Sequence, residues 1–328
     1  MAQWRLQPAL ATDTGKRRNN NEDAVGYLYP EDPQTLQDYG ALFVIADGVG
    51  GLRGSQRASY VAVNMLVHEY YRSPLPTVED RLRDVLQRAN RMVIEQLGEG
   101  NKHATTVVAV VYHGRDAVIA HAGDSRAYKI TRTSIEQITQ DHTVTIRTSD
   151  GRRRDRLDRA IGHKPTLVPD IVRTPVEQRS SLLLVTDGAT LYLKENDLKR
   201  IVTRSEPEGA VSEIIRRANE AGGADNISAI VINVIGDGSD FKQGAAHAAA
   251  INREIAAASD EKEGFAMVRR KTATFATLDL SARTGHRASQ QMTGEEWGTT
   301  LLTGFIALVI IIAIIFAIVT MGGDLLRF

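Results

Sequence analysis

The stretch ALFVIADGVGG, from Ala41 to Gly51, decides how this chain reads. Six apolar residues in succession describe a strand buried on both faces, and the Asp-Gly that follows puts a carboxylate at the strand end, where the chain must turn. Four more runs have the same form: TTVVAVVYHG (105 to 114), DAVIAHAGD (116 to 124), SLLLVTDG (181 to 188) and NISAIVINVI (226 to 235). AVGYLY (24 to 29) reads as another strand. Helical periodicity covers 55 to 71, 78 to 98 and 207 to 222, with Gly98 and Gly222 as C-terminal stops of the last two. Strands follow one another from 105 to 139 without a helix between them. This favours antiparallel sheets covered by helices over a doubly wound parallel sheet.

Outward from this core, the chain has 328 residues, 42% hydrophobic and 24% charged, enough for one large core or two modest ones with an appendage. Lysine plus arginine and aspartate plus glutamate both number 40, so no net field draws the chain to nucleic acid, and none is expected as a partner. The absence of cysteine excludes disulfides, thiolate zinc sites and a cysteine nucleophile. The N-terminus lacks the apolar core of a secretory signal.

The composition divides the chain into a mixed α/β domain (1–236), an Ala/Ser/Thr-rich charged linker (237–298), a transmembrane helix (299–321) and a short tail (322–328). The linker's GAAHAAAINREIAAAS is compatible with a helix, and the rest is read as partly disordered. Residues 301–321, LLTGFIALVIIIAIIFAIVTM, carry no charge and are long enough to cross a bilayer of about 30 Å. Trp297 suits an interfacial anchor. Arg269, Arg270, Lys271, Arg283 and Arg287 precede the span and only Arg327 follows it. The expectation is a single-pass protein of the cell membrane with its large domain cytoplasmic.

The acidic residues sit where chemistry would need them. Asp47 and Asp187 each end an apolar strand before a glycine, Asp225 begins another strand, and Glu22 and Asp23 precede AVGYLY. Strand ends bring residues distant in sequence to one edge of a sheet. Hard oxygen ligands without histidine or cysteine point to Mg²⁺ or Mn²⁺ rather than zinc. Any one Asp-Gly is an ordinary turn. The strings gain weight from their order: RxxxED (Arg18 to Asp23), ADGVGG (46 to 51), GDSR (123 to 126), DHT (141 to 143), TDG (186 to 188) and GGxDN (222 to 226).

In these strings, over roughly residues 4 to 235, the sequence resembles the PPM family of metal-dependent protein phosphatases, the 2C type, in its bacterial serine/threonine form. The resemblance implies an α+β fold, with two antiparallel β-sheets in a sandwich flanked by helices on both sides and the metal site at one edge between the sheets. It implies that Asp47 bridges two metal ions and that the carbonyl of Gly48 is a ligand of the second. By the same resemblance Asp187 and Asp225 complete the first ion, Glu22 and Asp23 hold metal-bound waters, and Asp124 helps bind a weaker third metal. Arg18 would grip the substrate phosphate, with Arg17 as its neighbouring decoy. The cofactors implied are Mn²⁺ or Mg²⁺, two per site with the weaker third. Such cations lower the pKa of a bridging water, so that hydroxide attacks phosphorus without a protein nucleophile. A guanidinium fork matches two phosphate oxygens where lysine cannot.

Departures from the family pattern also bear on function. Val49 stands where many eukaryotic relatives carry a histidine, so no general acid is assigned. His142 reads as structural. The stretch from Asp141 to Gly162 is shorter than the flap of many bacterial members and rich in arginine, Arg152 to Arg156 above all, which reads as a solvated basic loop or a contact for acidic partners. GATLYL after Asp187 replaces the usual serine or leucine beside the glycine. RRKTAT (269 to 274) and HRAS (286 to 289) have the form of kinase targets.

The expected activity is hydrolysis of phosphoserine and phosphothreonine on proteins, opposing membrane-associated kinases, with phosphorylated proteins as partners. The alternatives are a non-catalytic phosphoprotein-binding membrane scaffold and a phosphatase of small phosphoesters. ADGVGG lacks the Gly-Lys-Ser/Thr of a P-loop, so no separate nucleotide motif supports the latter.

Overall fold

The computed structural model describes residues 3–50, 53–100, 103–147, 153–238, 247–253 and 267–269. Ala41–Ala46 is strand β3 and is buried at every position, as its unbroken apolar run requires. It lies inside a six-stranded sheet ordered β12 (Asp170–Pro175), β7 (Asp116–Ala122), β6 (Val107–His113), β3, β2 (Ala24–Leu28) and β15 (Met267–Arg269). All neighbours are antiparallel except β15, which runs parallel to β2. A second, wholly antiparallel sheet is ordered β1 (Gln3–Asp13), β14 (Ile227–Gly238), β13 (Ser181–Val185), β8 (Arg126–Ile130) and β9 (Ile135–Gln137). Two small hairpins complete the set, β4 (Gly48–Val49) with β5 (Ala104–Thr105), and β10 (Thr143–Arg147) with β11 (Arg153–Leu157).

Strand alternation sorts the apolar residues into three layers. Ala41, Phe43 and Ile45 pack in a central cluster with Leu182, Leu184, Ile230 and Ile232, which is the core between the sheets. Their neighbours Leu42, Val44 and Ala46 face the opposite way, into a cluster with Leu66 of α2 (Arg53–Glu69) and Leu82 and Leu86 of α3 (Val78–Leu97). On the other sheet, Leu183, Val185, Ala229 and Val231 pack with Leu198 and Ile201 of α5 (Glu195–Arg204) and Ile214 of α6 (Pro207–Glu220). Each fully buried side chain of this size is worth about 1.5–3 kcal/mol relative to exposure. The four layers are therefore helix, sheet, sheet, helix, and because both faces of each central strand are covered, the strands read as continuous apolar runs despite being antiparallel.

Local signals set the helix ends. Thr77 caps α3 by accepting from the Asp80 N–H at 3.1 Å, and Gly98 closes it with φ +88 and a bond from its N–H to the Ile94 carbonyl at 2.8 Å. Asp32 caps α1 (Pro33–Tyr39) through Thr35 at 2.7 Å. Helix α6 stops at Glu220, two residues before the expected Gly222, and α2 gives way to a 3₁₀ turn at Tyr70–Arg72. The run expected as one strand over 105–114 is divided at Thr106, whose N–H turns aside to the Asp47 carbonyl at 2.8 Å.

β14 continues past the expected boundary at Gly236, to Gly238. Two pieces of the stretch read as linker are described, β15 and the helical segment 247–253. In the latter, Ala248 and Ile251 join the central cluster, and Asn252 donates to the Tyr29 carbonyl at 3.0 Å. The expected membrane span, 301–321, lies outside the described residues. Among those described, no helix is long and apolar enough to cross a membrane.

Candidate active site

The strand ends converge as their sequence positions suggested. A cleft of about 480 Å³ is lined by Arg18, Glu22, Asp47, Gly48, Asp124, Asp187 and Asp225, with Val49 and Gly50 beside them. Thr143, Ile146, Arg156 and Leu157 of the β10–β11 hairpin form part of its wall. Asp47 and Gly48 follow β3, Asp124 follows β7, Asp187 follows β13 and opens α4 (Asp187–Thr190), and Asp225 precedes β14. The two sheets thus present their acids to one opening.

Backbone clamps hold the acids in place. The Asp47 carbonyl accepts from the Thr106 N–H and the Thr105 hydroxyl, both at 2.8 Å, while the Asp47 N–H donates to Thr106 Oγ1 at 3.0 Å. Thr106 Oγ1 is in turn 2.7 Å from Ser125 Oγ, so the Asp47 and Asp124 turns share one hydroxyl. The Glu22 N–H donates to Asn226 Oδ1 at 2.8 Å, and the Glu22 carbonyl accepts from the Gly48 N–H at 3.2 Å and Ser59 Oγ at 2.5 Å. A Cβ at Gly48 would stand 2.6 Å from the Ser55 carbonyl oxygen and 2.7 Å from that of Glu22, so no side chain fits there.

Asn226 was part of a motif in the sequence but had no role assigned. It is the hub of this edge, for its Nδ2 also donates to the Thr14 and Asn20 carbonyls at 2.8 and 2.9 Å. Arg126 and Asp141, from the GDSR and DHT strings, form a two-pronged pair at 2.9 and 2.6 Å, which joins those strings in space and keeps Arg126 charged.

Asp23 differs from its neighbours. It is 2% exposed and lies beneath the cleft rather than on its wall, accepting on Oδ2 from Ser228 Oγ at 2.6 Å and Thr186 Oγ1 at 2.9 Å. Its Oδ1 has no hydrogen-bond partner. Arg18 Nη2 reaches Asp225 Oδ2 at 2.7 Å, whereas Arg17 is held by its backbone, its N–H on the Gly223 carbonyl.

The electrostatics are those of anions in excess. Burial, followed by the charges of Asp23, Asp187, Asp124 and Asp225, pushes the Asp47 carboxyl well above the usual range. Burial and the charge of Asp225 raise Asp187, burial and Asp187 push Asp124 up to about 6, and burial pushes Asp23 up to about 7. Crowded, all-oxygen, partly orphaned acids with little cationic compensation fit hard divalent cations such as Mg²⁺ or Mn²⁺.

Comparison with known proteins agrees with this chemistry. Residues 16–231 match the family model described as protein phosphatase 2C. Serine/threonine phosphatase stp of Listeria welshimeri is 28% identical over 246 residues, covering 69% of this chain and 95% of that protein. Protein phosphatase PhpP of Streptococcus pneumoniae is 29% identical over 248 residues, covering 70% and 98%. The solved structure of the PPM Ser-Thr phosphatase MsPP from Mycobacterium smegmatis, in complex with cacodylate, is 30% identical with a TM-score of 0.57, covering 70% of this chain and 98% of that one.

Proposed function

The chain belongs to the protein phosphatase 2C family and is a metal-dependent protein serine/threonine phosphatase, and we propose how its own residues divide that work. Asp47, Asp187 and Asp225, with the Gly48 carbonyl, would hold two divalent cations, Mn²⁺ or Mg²⁺, and Asp124 a weaker third. Glu22 and Asp23 would order the surrounding water. Bound cations would supply Lewis acidity, activating water near neutral pH and offsetting negative charge at phosphorus.

Arg18 orients the phosphoryl group. Its pairing with Asp225 points the guanidinium into the cleft before substrate arrives, and it exchanges that contact for phosphate oxygens. The β10–β11 hairpin supplies the outer wall, with Ile146 and Arg156 toward the peptide. Val49 occupies the position of the histidine found in many eukaryotic relatives, so no side chain is assigned as general acid to the leaving alkoxide.

One observation carries this division: five acids from distant strand ends face one cleft beside Arg18, and burial, followed by the charges of neighbouring acids, raises the carboxyls of Asp47, Asp124 and Asp187. The test is Mn²⁺-dependent phosphate release from a phosphothreonine peptide by the full chain, Asp47→Ala and Asp187→Ala. Release lost in both variants is expected. A wild type that binds Mn²⁺ yet releases nothing would overturn the assignment in favour of a binding scaffold.

The uncharged run 301–321 would hold the domain at the membrane beside serine/threonine kinases and their substrates, the basic residues before it keeping the domain cytoplasmic. Truncation after residue 300 should move the protein from the membrane fraction to the supernatant. Retention in the pellet would sink the anchor.

A further inference from the structure

Behind the Asp124 turn lies a buried group that the mechanism above does not use. His121, at the end of β7, and His142, just before β10, are 2% and 5% exposed, and their rings stack with centroids 4.1 Å apart and planes at 32°. Asp170 completes a trio whose nitrogen and oxygen atoms all lie within 4.8 Å of one another. Stacked rings carry their nitrogens side by side rather than aiming them at one point, which works against chelation. The hydrogen bonds describe a chain instead. The Gly123 N–H donates to His142 Nδ1 at 3.3 Å, so the ring proton is on Nε2, which donates to Asp170 Oδ2 at 3.0 Å. Arg159 Nη1 holds the other oxygen of Asp170 at 2.6 Å.

The backbone of the same residue makes it a junction. The His142 N–H donates to the Gly123 carbonyl at 2.8 Å, and its carbonyl accepts from the Asp158 N–H at 2.8 Å. Gly123 precedes Asp124, and its φ of +123 is open to glycine alone. Thr143 and Leu157, the next residues along from His142 and Asp158, pair with each other and line the cleft. One residue, by its imidazole on the Gly123 N–H and its backbone on the Gly123 carbonyl and the Asp158 N–H, therefore ties the Asp124 turn to both strands of the hairpin where the hairpin leaves the domain.

We propose that His142 is a positioning residue for the hydrolytic site: it locks the Asp124 turn to the base of the β10–β11 hairpin, and Asp170, braced by Arg159, fixes the tautomer that does so. The proposal rests on the reading of Asp124 as a ligand of the weaker cation. His121 serves as the apolar floor for the ring, since burial and the neighbouring His142 push it down to about 4 and keep it neutral.

The two nitrogens can be separated experimentally, because Asn places an acceptor near the Nδ1 position and Gln a donor near the Nε2 position. His142→Gln, which abandons Gly123, should lower kcat on a phosphothreonine peptide about tenfold and weaken the weakest Mn²⁺-binding step in calorimetry by a similar factor. His142→Asn should stay within about threefold of wild type. The double variant His142→Gln/Asp124→Ala should be no slower than Asp124→Ala, since residues acting through one another are not additive. Equal damage in His142→Asn and His142→Gln, or losses that multiply in the double variant, would overturn the proposal.

Should His142→Gln fail to fold, Asp170→Ala alters a carboxylate that is 41% exposed and should reproduce the loss in kcat and Mn²⁺ affinity. If the wild type releases no phosphate, the enzyme reading fails. Calorimetry then decides this one, because unchanged Mn²⁺ binding in both His142→Gln and Asp170→Ala would refute it.

Discussion

Arg18 and Asp225, 207 residues apart in the chain, meet at 2.7 Å on the rim of the acidic cleft. The contact holds a 41% exposed guanidinium in place, and it means that a residue expected to bind phosphate is paired with a residue expected to bind metal. Arg18→Ala should lower kcat/KM for a phosphothreonine peptide about 10- to 100-fold, the loss of about 1.5–3 kcal/mol of charge-assisted hydrogen bonding. Arg18→Lys should recover only a small part, because a point charge cannot span two phosphate oxygens. Steady-state kinetics on the three proteins would show this, and full recovery by lysine would remove the two-pronged contact.

The raised acids make metal-free stability depend on pH in a definite direction. Asp23 and Asp124 stand at about 7 and about 6 against an ordinary 3.8, so between about 4 and 7 the folded protein retains protons the unfolded chain has released. That stabilisation is complete below about 4 and is lost as pH rises through 7. In chelator, the melting temperature should fall as pH rises across this window, and added Mn²⁺ should raise it most at the alkaline end. A metal-free melting temperature that climbs from pH 5 to 7 would contradict the assignment.

Asn226→Ala should be among the costlier single changes. It strands the Glu22 N–H and the carbonyls of Thr14 and Asn20 at a side chain only 4% exposed. A loss of about 2–4 kcal/mol in denaturant unfolding is expected, accompanied by weaker Mn²⁺ binding.

Gly188→Ala addresses the turn after Asp187. The added Cβ would collide with the Asn226 carbonyl, backbone that cannot yield without moving Asp225 and Asn226. Activity should be lost with the secondary structure retained, read by circular dichroism beside phosphate release. By contrast Ala189, the departure from the family pattern, is fully buried against the α5 and α6 layer, so its small size is a packing requirement and leaves the ligand positions intact.

Where burial on two faces made a strand a continuous apolar run, the chain could be read directly, as for β3, β6, β7 and β13. β1 escaped because QWRLQPALATD mixes polar residues and a proline. It is an edge strand of its sheet, and an edge tolerates Pro8 because the missing N–H faces no partner. The β10–β11 hairpin reads in the sequence as a short, arginine-rich flap and basic loop, since Val144 and Ile146 are exposed and none of its described side chains is buried to leave a period in the sequence.

In the site the acids were legible from their places at strand ends. The residues that hold them, Thr105, Thr106, Ser125, Thr186, Ser228 and Asn226, were not, because a buried hydroxyl or amide acquires its meaning from a partner far away in sequence. Asp23 and Glu22 are adjacent, yet only the fold distinguishes the one buried below the cleft from the one on its wall.

β1 and β14 lie side by side from Gln3 opposite Gly238 to Asp13 opposite Ile227. The stretch from β1 to β14, which carries every site residue, thus starts and finishes at the same spot, while Ala248, Ile251 and β15 add to its core and sheet from beyond it. A short peptide joining those ends, with a new opening at the β6–β7 turn around Gly114, where a Cβ would meet open space, should give a rearranged gene product that still builds the same cleft.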